Sequence, residues 1–375
     1  MRPLCYCPEG GSVVETCTRT IQGRFLLRPG PQANELILGV LGRALDFYHV
    51  ELFGLCFLSN HYHLLIHAES ALQMARFQGY LNSNLARKLG HQHDWKDRFW
   101  ARRYRPTIIS EEPEAQLARL KYLLANGTKE NLVSSPLEWP GPNMAKAILQ
   151  DESLTGYWFN QTKEWAARRR GEEFGRYDYA TRYEIEVQPL PAFRHLSKEE
   201  YRSLVLDLVI QVQEEAKAER RGRTVLGVEK VLLQDPHEAP RMPKKSPAPR
   251  FFACTREKMD GMKEAYGDFV DVYCKAADQL LAAQKAGGRF DPRSDFPRGS
   301  FPPALQFVGE SLLPPPPRPT SRRLEYAEKS TWKIAKRGAI PVVRLPRAPS
   351  APPSGQQGTG PGHDMRCHSP PTPDS

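Results

Sequence analysis

Apolar and polar positions change period several times along the first third of the chain. Ser12-Val-Val-Glu-Thr-Cys-Thr-Arg19 is β-branched and predicts a strand. Between Pro31 and Tyr48, Leu36, Ile37, Val40, Leu41, Leu45 and Phe47 form a helical stripe. Val50-Glu-Leu-Phe-Gly-Leu-Cys-Phe57 predicts a second strand. Asn60 follows as a tight-turn residue, and an apolar run through His67 completes a hairpin. Ala71–Leu89 places Met74, Phe77, Leu81 and Leu85 at helical spacing, and Arg98–Ile109 alternates as a fourth strand. Ser110-Glu-Glu-Pro-Glu114 has the capping serine, early acids and first-turn proline of a helix start. That helix is predicted to stop at Asn126-Gly127. The order β-α-β-β-α-β-α begins as a ferredoxin-like split βαβ arrangement. The fold class is therefore α+β, an antiparallel sheet with helices.

Beyond Gly156 the pattern thins. Helices are predicted over Gln161–Arg170, over Ser197–Arg221 behind the capping box Ser197-Lys-Glu-Glu200, and over Glu257–Lys285. Tyr183–Val187 is a short strand. Proline, 34 residues in all, clusters in Asp235–Arg250, Leu312–Thr320 and Ile340–Ser375, so it marks boundaries. The expected division is a first domain over 1–150, an accessory α/β region over 151–235 and a Pro-rich basic linker over 236–250. A helical accessory region over 251–311 and a Pro-rich, largely disordered tail over 312–375 follow.

Within the hairpin, His61-Tyr62-His63 carries chemistry. Alternate strand residues share a face, so both imidazoles point one way and Tyr62 points the other. Two such histidines suit a divalent ion with room for a further ligand and for substrate. A pair of histidines with no ion is the plainer reading of the same spacing. His67 shares the face but lies roughly 13 Å from His63 along the strand, so a third ligand must come from another element. In the last helix, Leu117, Leu120 and Leu124 form an apolar stripe. Tyr122 and Asn126, four apart, share another face. A tyrosine there can present its hydroxyl to a substrate, and an asparagine can offer its carbonyl oxygen to a hard cation. A half-buried aromatic and a helix cap is the alternative.

Lys and Arg number 53 against 43 Asp and Glu, a formal net charge of +10. That balance favours an anionic partner such as nucleic acid. Arg98, Trp100, Arg102, Arg103, Tyr104 and Arg105 combine cations with stacking surfaces and are the DNA-binding candidates. No apolar run approaches the roughly 20 residues of a membrane span. No apolar segment follows the N-terminal charge, and the seven scattered cysteines suggest reduced thiols, so a cytoplasmic protein is expected.

Three ordered blocks carry a resemblance. They are Leu58-Ser-Asn-His-Tyr-His-Leu-Leu65, Asp97-Arg-Phe-Trp-Ala-Arg-Arg-Tyr104 and Tyr122-Leu-Leu-Ala-Asn-Gly-Thr-Lys-Glu-Asn-Leu-Val133 with Ser135-Pro-Leu-Glu-Trp-Pro140. From Gly11 to about Gly141 the chain resembles the single-tyrosine HUH transposases, and among them the REP-associated tyrosine transposase branch. The resemblance implies the HUH endonuclease fold for residues 1–150, with His61 and His63 binding Mg²⁺ or Mn²⁺. It implies Tyr122 as the catalytic nucleophile and Asn126 as the third metal ligand. Zn²⁺ would be expected to bind and to work poorly. Many members have Asn-Pro where this chain has Asn126-Gly127; glycine still stops the helix.

The implied function is a metal-dependent endonuclease and strand transferase acting on single-stranded or hairpin DNA. It would form a covalent 5′-phosphotyrosine intermediate and leave a free 3′-OH. A homodimer is compatible with it. The competing readings are a catalytically silent DNA-hairpin-binding protein and a replication- or relaxase-type HUH nickase.

Overall fold

The first six elements form in the predicted order: β1 (Ser12–Arg19), α1 (Pro31–Tyr48), β2 (Glu51–Leu58), β3 (His61–Ala68), α2 (Ala71–Gln92) and β4 (Arg105–Ile109). The structure is a computed structural model. It describes residues 4–240, 249–285, 296–297, 300–302 and 342–344, all within the unit Met1–Leu345. The four strands lie in the order β2-β3-β1-β4, each neighbouring pair antiparallel, which is the ferredoxin-like arrangement.

One addition departs from the expected antiparallel sheet. β7 (Phe251–Phe252), from the region predicted as helical, joins the outer edge of β4 in parallel. The edge N–H groups of Ile108 and Ser110 donate to Arg250 O and Phe252 O at 2.9 and 3.0 Å. An open strand edge is thereby satisfied by chain that arrives about 140 residues later.

The sheet has two unlike faces. Tyr62, Leu64 and Ile66 of β3 share one face with Phe57 and Leu55 of β2 and Val14 of β1, all buried. Helix α2 covers this face, and Met74, Phe77, Leu81 and Leu85 point into the core with Ile37, Val40, Leu41 and Leu45 of α1. The opposite face carries Glu15, Cys17, His61 and His63, and α3 (Pro113–Ala125) lies over it. α4 (Met144–Leu149) covers it too: a Cβ on Gly54 would stand 2.8 Å from Met144 Sδ and 3.2 Å from Leu123 Cδ2.

A second sheet packs on α1. It comprises β5 (Leu154–Phe159), which the sequence reading did not anticipate, and β6 (Ala180–Ile185), two to three residues earlier than expected. β8 (Val342–Arg344) pairs in parallel with β6. That strand falls within the region 312–375 expected to be largely disordered. The other residues of 312–375 lie outside the described residues. α1 meets β5 backbone to backbone: a Cβ on Gly39 would stand 2.1 Å from Tyr157 O, and one on Gly156 2.1 Å from Gly39 N. Only glycine permits that approach.

α5 (Gln161–Arg169), α6 (Lys198–Arg220), the short α7 (Val228–Leu232) and α8 (Arg256–Lys285) complete the described helices. The Ser197–Glu200 capping box is present as predicted.

Two local expectations change. β4 begins only at Arg105; residues 98–104 form a loop with a single bridge between Trp100 and Thr20. That loop buries Phe99 and Tyr104 and leaves its arginines outside, which a regular alternation would not allow. Ser110 does not cap α3. It donates instead to Glu112, whose carboxylate accepts the backbone N–H groups of Cys254 and Thr255 at 2.9 and 3.0 Å, ahead of α8.

Candidate active site

The Ser59-Asn60 turn sets the register of the site. It opposes Leu58 to His61, Phe57 to Tyr62 and Cys56 to His63. Its carbonyls accept Leu27 N at 2.8 Å and Thr20 N at 2.9 Å, so the turn is pinned at both residues. On β1, Arg19 opposes His61 and Cys17 opposes His63. Side chains directly opposed across an antiparallel pair share a face, so both histidines lie on the face of Cys17 and Arg19.

His61 and His63 are both buried, with ring centroids 5.1 Å apart. His61 Nδ1 lies 2.6 Å from Asn60 Oδ1, and His63 Nδ1 lies 2.7 Å from Glu15 Oε1. His63 Nε2 faces Cys17 Sγ at 3.8 Å. Burial opposes a charge on His63, but the neighbouring Cys17 and Glu15 outweigh it and push its pKa up to about 9. Burial likewise works against the Glu15 carboxylate, and His63 and Arg119 together still hold it below its ordinary range. The Cys17 thiol is lowered too: burial resists, and His63 prevails.

Helix α3 brings the tyrosine. Ala115, Leu120, Leu123 and Leu124 are buried against the sheet, while Arg119 and Tyr122 sit at the margin of that face. The Tyr122 ring meets the His63 ring edge-on, centroids 5.6 Å apart. Tyr122 is 37% exposed, so part of its ring is open to solvent. Arg119 stands 4.2 Å and Lys129 Nζ 3.5 Å from its ring centroid. Burial raises the Tyr122 pKa and Glu15 adds to the rise, with Arg119 acting against them.

Asn126 is the C-cap of α3 and is buried. Its Nδ2 donates to the carbonyls of Tyr122 and Leu123, at 3.1 and 3.3 Å. Its Oδ1 is buried with no hydrogen-bond partner among the described residues. Asn126 lines a cavity of about 10 Å³ together with Cys56, the register partner of His63, and with Trp139 and Asn143. Among the described residues no group of three His, Cys, Asp or Glu converges on a metal position. The two imidazoles are borderline donors and the Asn126 amide oxygen a hard one, a mixed set that suits Mn²⁺ better than Mg²⁺; Asn126 lines its cavity with Cys56 and with neither histidine.

The DNA-binding candidates divide. Arg98, Arg102, Arg103 and Arg105 are exposed. Tyr104 is buried beside Cys5 Sγ, 3.6 Å from its hydroxyl, so its ring is not offered for stacking. Trp100 is half-buried, edge-on to Tyr62 at 5.8 Å, with its indole N–H on Asn82 O at 2.9 Å. Tyr62 points to the far face, as its position between the histidines requires. It is fully buried, stacked on Phe57, and its Oη lies 2.7 Å from Asn82 Oδ1.

Sequence reading missed Glu15, Cys17, Arg119 and Lys129. The signal for Glu15 was present: an acid inside a β-branched strand, at the same parity as Cys17. Arg119, one turn before Tyr122, was also legible from helical spacing.

Residues 31–123 match the family model described as Transposase IS200 like. The matched segment includes His61, His63 and Tyr122 and ends before Asn126. The match supports a transposase type of function. Among solved structures, a REP-associated tyrosine transposase bound to a REP hairpin is similar at 13% identity and a TM-score of 0.31, over 50% of this chain and 93% of that one. A candidate transposase from Deinococcus radiodurans R1 is similar at 18% identity and a TM-score of 0.24, over 29% of this chain and 87% of that one. No curated protein matches. No described helix is long and apolar enough to cross a membrane.

Proposed function

We propose that this protein cuts and rejoins single-stranded DNA with hairpin ends, as a transposase, with Tyr122 as nucleophile. The observation that carries the reading is the edge-on contact between Tyr122 and His63. Two elements far apart in the chain place a hydroxyl-bearing ring and a histidine pair on one face of one sheet.

His61, His63 and Asn126 would hold Mg²⁺ or Mn²⁺, which when bound supplies Lewis-acid charge at a phosphate oxygen. The chain's own groups do the rest. The Tyr122 hydroxyl gives up its proton, and its oxygen bonds to phosphorus as the bond from phosphorus to the 3′ oxygen breaks. The 3′ oxygen takes up a proton, and the 5′ phosphate remains on the tyrosine. The bond energy is kept in that ester, so attack by a 3′-OH reverses the step and restores Tyr122 without a nucleotide cofactor. Burial disfavours the phenolate, and Arg119 and Lys129 beside the ring favour it. The exposed Arg98, Arg102, Arg103 and Arg105 would contact backbone phosphates rather than read bases.

The test is a labelled single-stranded oligonucleotide with a hairpin end, incubated with the full chain and Mn²⁺ and run under denaturing conditions. A protein–DNA adduct that disappears in Tyr122→Phe supports the reading. An adduct that persists in the variant removes Tyr122 from the chemistry. Hairpin binding with no adduct from the unaltered chain favours the catalytically silent protein instead.

A further inference from the structure

We propose that Glu15 is a positioning residue that locks the histidine strand and the tyrosine helix into one geometry. The inference rests on the catalytic reading above. Glu15 lies on β1, between β3 and β4 in the sheet, and is buried. Each of its carboxylate oxygens has a separate task. Oε1 lies 2.7 Å from His63 Nδ1, and Oε2 accepts from Arg119 Nε at 2.6 Å and from Nη2 as well. Arg119 in turn stands on the Tyr122 ring, and Tyr122 meets His63. Glu15, His63, Tyr122 and Arg119 thus close a ring of contacts across two strands and a helix.

Two consequences follow. An acceptor on Nδ1 selects the imidazole tautomer whose lone pair is on Nε2 and fixes the ring's rotation, as carboxylates do for metal-binding histidines. A two-point grip on Arg119 restrains the guanidinium, which also lies 5.0 Å from the Phe252 ring centroid, and so restrains the tyrosine beneath it. Well-packed apolar residues commonly match a buried charge cluster in stability. What the charged cluster adds here is a fixed relation between metal ligand and nucleophile.

The two arms separate by experiment. Mn²⁺ titration of the metal-free full chain, by calorimetry or by loss of the free-ion electron paramagnetic resonance signal, reads the His63 arm without DNA. Glu15→Gln is expected to weaken Mn²⁺ binding about 10- to 100-fold. Arg119→Met is expected to leave Mn²⁺ affinity unchanged and to lower kcat for adduct formation with little change in KM. Circular dichroism and thermal melting establish that each variant is folded. If Glu15→Gln alone does not fold, the double variant Glu15→Gln/Arg119→Met, which no longer buries an uncompensated cation, carries the Mn²⁺ measurement. A folded Glu15 variant with the unaltered chain's Mn²⁺ affinity and adduct rate overturns this proposal alone. An unaltered chain that binds no Mn²⁺ overturns the metal-site reading, and this proposal with it.

Discussion

The two faces of strand β3 differ by one residue of parity and by nearly everything else. Tyr62, Leu64 and Ile66 enter a dry core, where the Tyr62 hydroxyl is enclosed by Thr18, Gln78 and Asn82. On the other face His63 meets Glu15, Cys17 and a half-exposed tyrosine of α3, with His61 beside it. Both faces hold a tyrosine beside polar partners. Only Tyr122 has a route to solvent and two cations at its ring. Full burial drives the Tyr62 pKa strongly upward and keeps it a phenol; the half-buried Tyr122 is also raised. On the proposed reading, which tyrosine serves as nucleophile depends less on residue type than on which face of the sheet its ring lies against.

The sharpest way to break this comparison is to remove each hydroxyl in turn. Tyr122→Phe should lower adduct formation by on the order of 10⁴-fold or more, as loss of a nucleophile does. Tyr62→Phe should still form the adduct and lose about 1–3 kcal/mol of stability, because its buried partners are left unpaired. Denaturant unfolding and a denaturing gel measure both. Equal loss of adduct in the two variants would erase the distinction between the faces.

His63→Ala is expected next in size. It should reduce Mn²⁺ affinity by more than Glu15→Gln does, because a ligand is lost rather than misaligned. Calorimetric titration checks the order. Gly39→Ala perturbs the molecule from the dry side alone, pressing a methyl into the Tyr157 backbone. It should cost about 1–3 kcal/mol, in the range of overpacked sites, while adduct formation per folded molecule is retained. A Gly39 variant as stable as the parent would contradict the close approach of α1 to β5.

The smallest expected effect is on pH dependence. In the metal-free protein His63 is raised from 6.5 to about 9, so its stabilising share is full below 6.5 and fades as pH climbs through about 9. Glu15 is lowered from 4.5, so its share is present above that value and is lost as pH falls. A melting-temperature profile should therefore sag at both ends, and Glu15→Gln should flatten both limbs. Identical profiles would separate the pair energetically from folding.

Much of this was legible from local pattern. Periods of two and near four placed β1, α1, β2, β3 and α2 within a few residues, because each buries one regular face. The loop over 98–104 was not, because Phe99 and Tyr104, five residues apart, enter the core through irregular backbone rather than through pleating. β5 escaped notice because Leu154–Phe159 is only partly buried and contains Gly156, a poor strand residue whose presence makes sense only against Gly39. β7 and β8 are too short to announce themselves; each exists because a strand edge elsewhere was open.

The chain's own pattern determined that His61 and His63 share a face, that Tyr62 opposes them, and that Arg119 lies one helical turn before Tyr122. Those are consequences of backbone periodicity, and neighbours in sequence suffice for them. That Tyr122 rests on His63, that Glu15 holds both His63 and Arg119, and that Phe252 comes back beside them was decided only by tertiary structure. Such contacts join residues separated by most of a domain. Their existence depends on how the sheet orders its strands and which helix covers which face, and no local period encodes either.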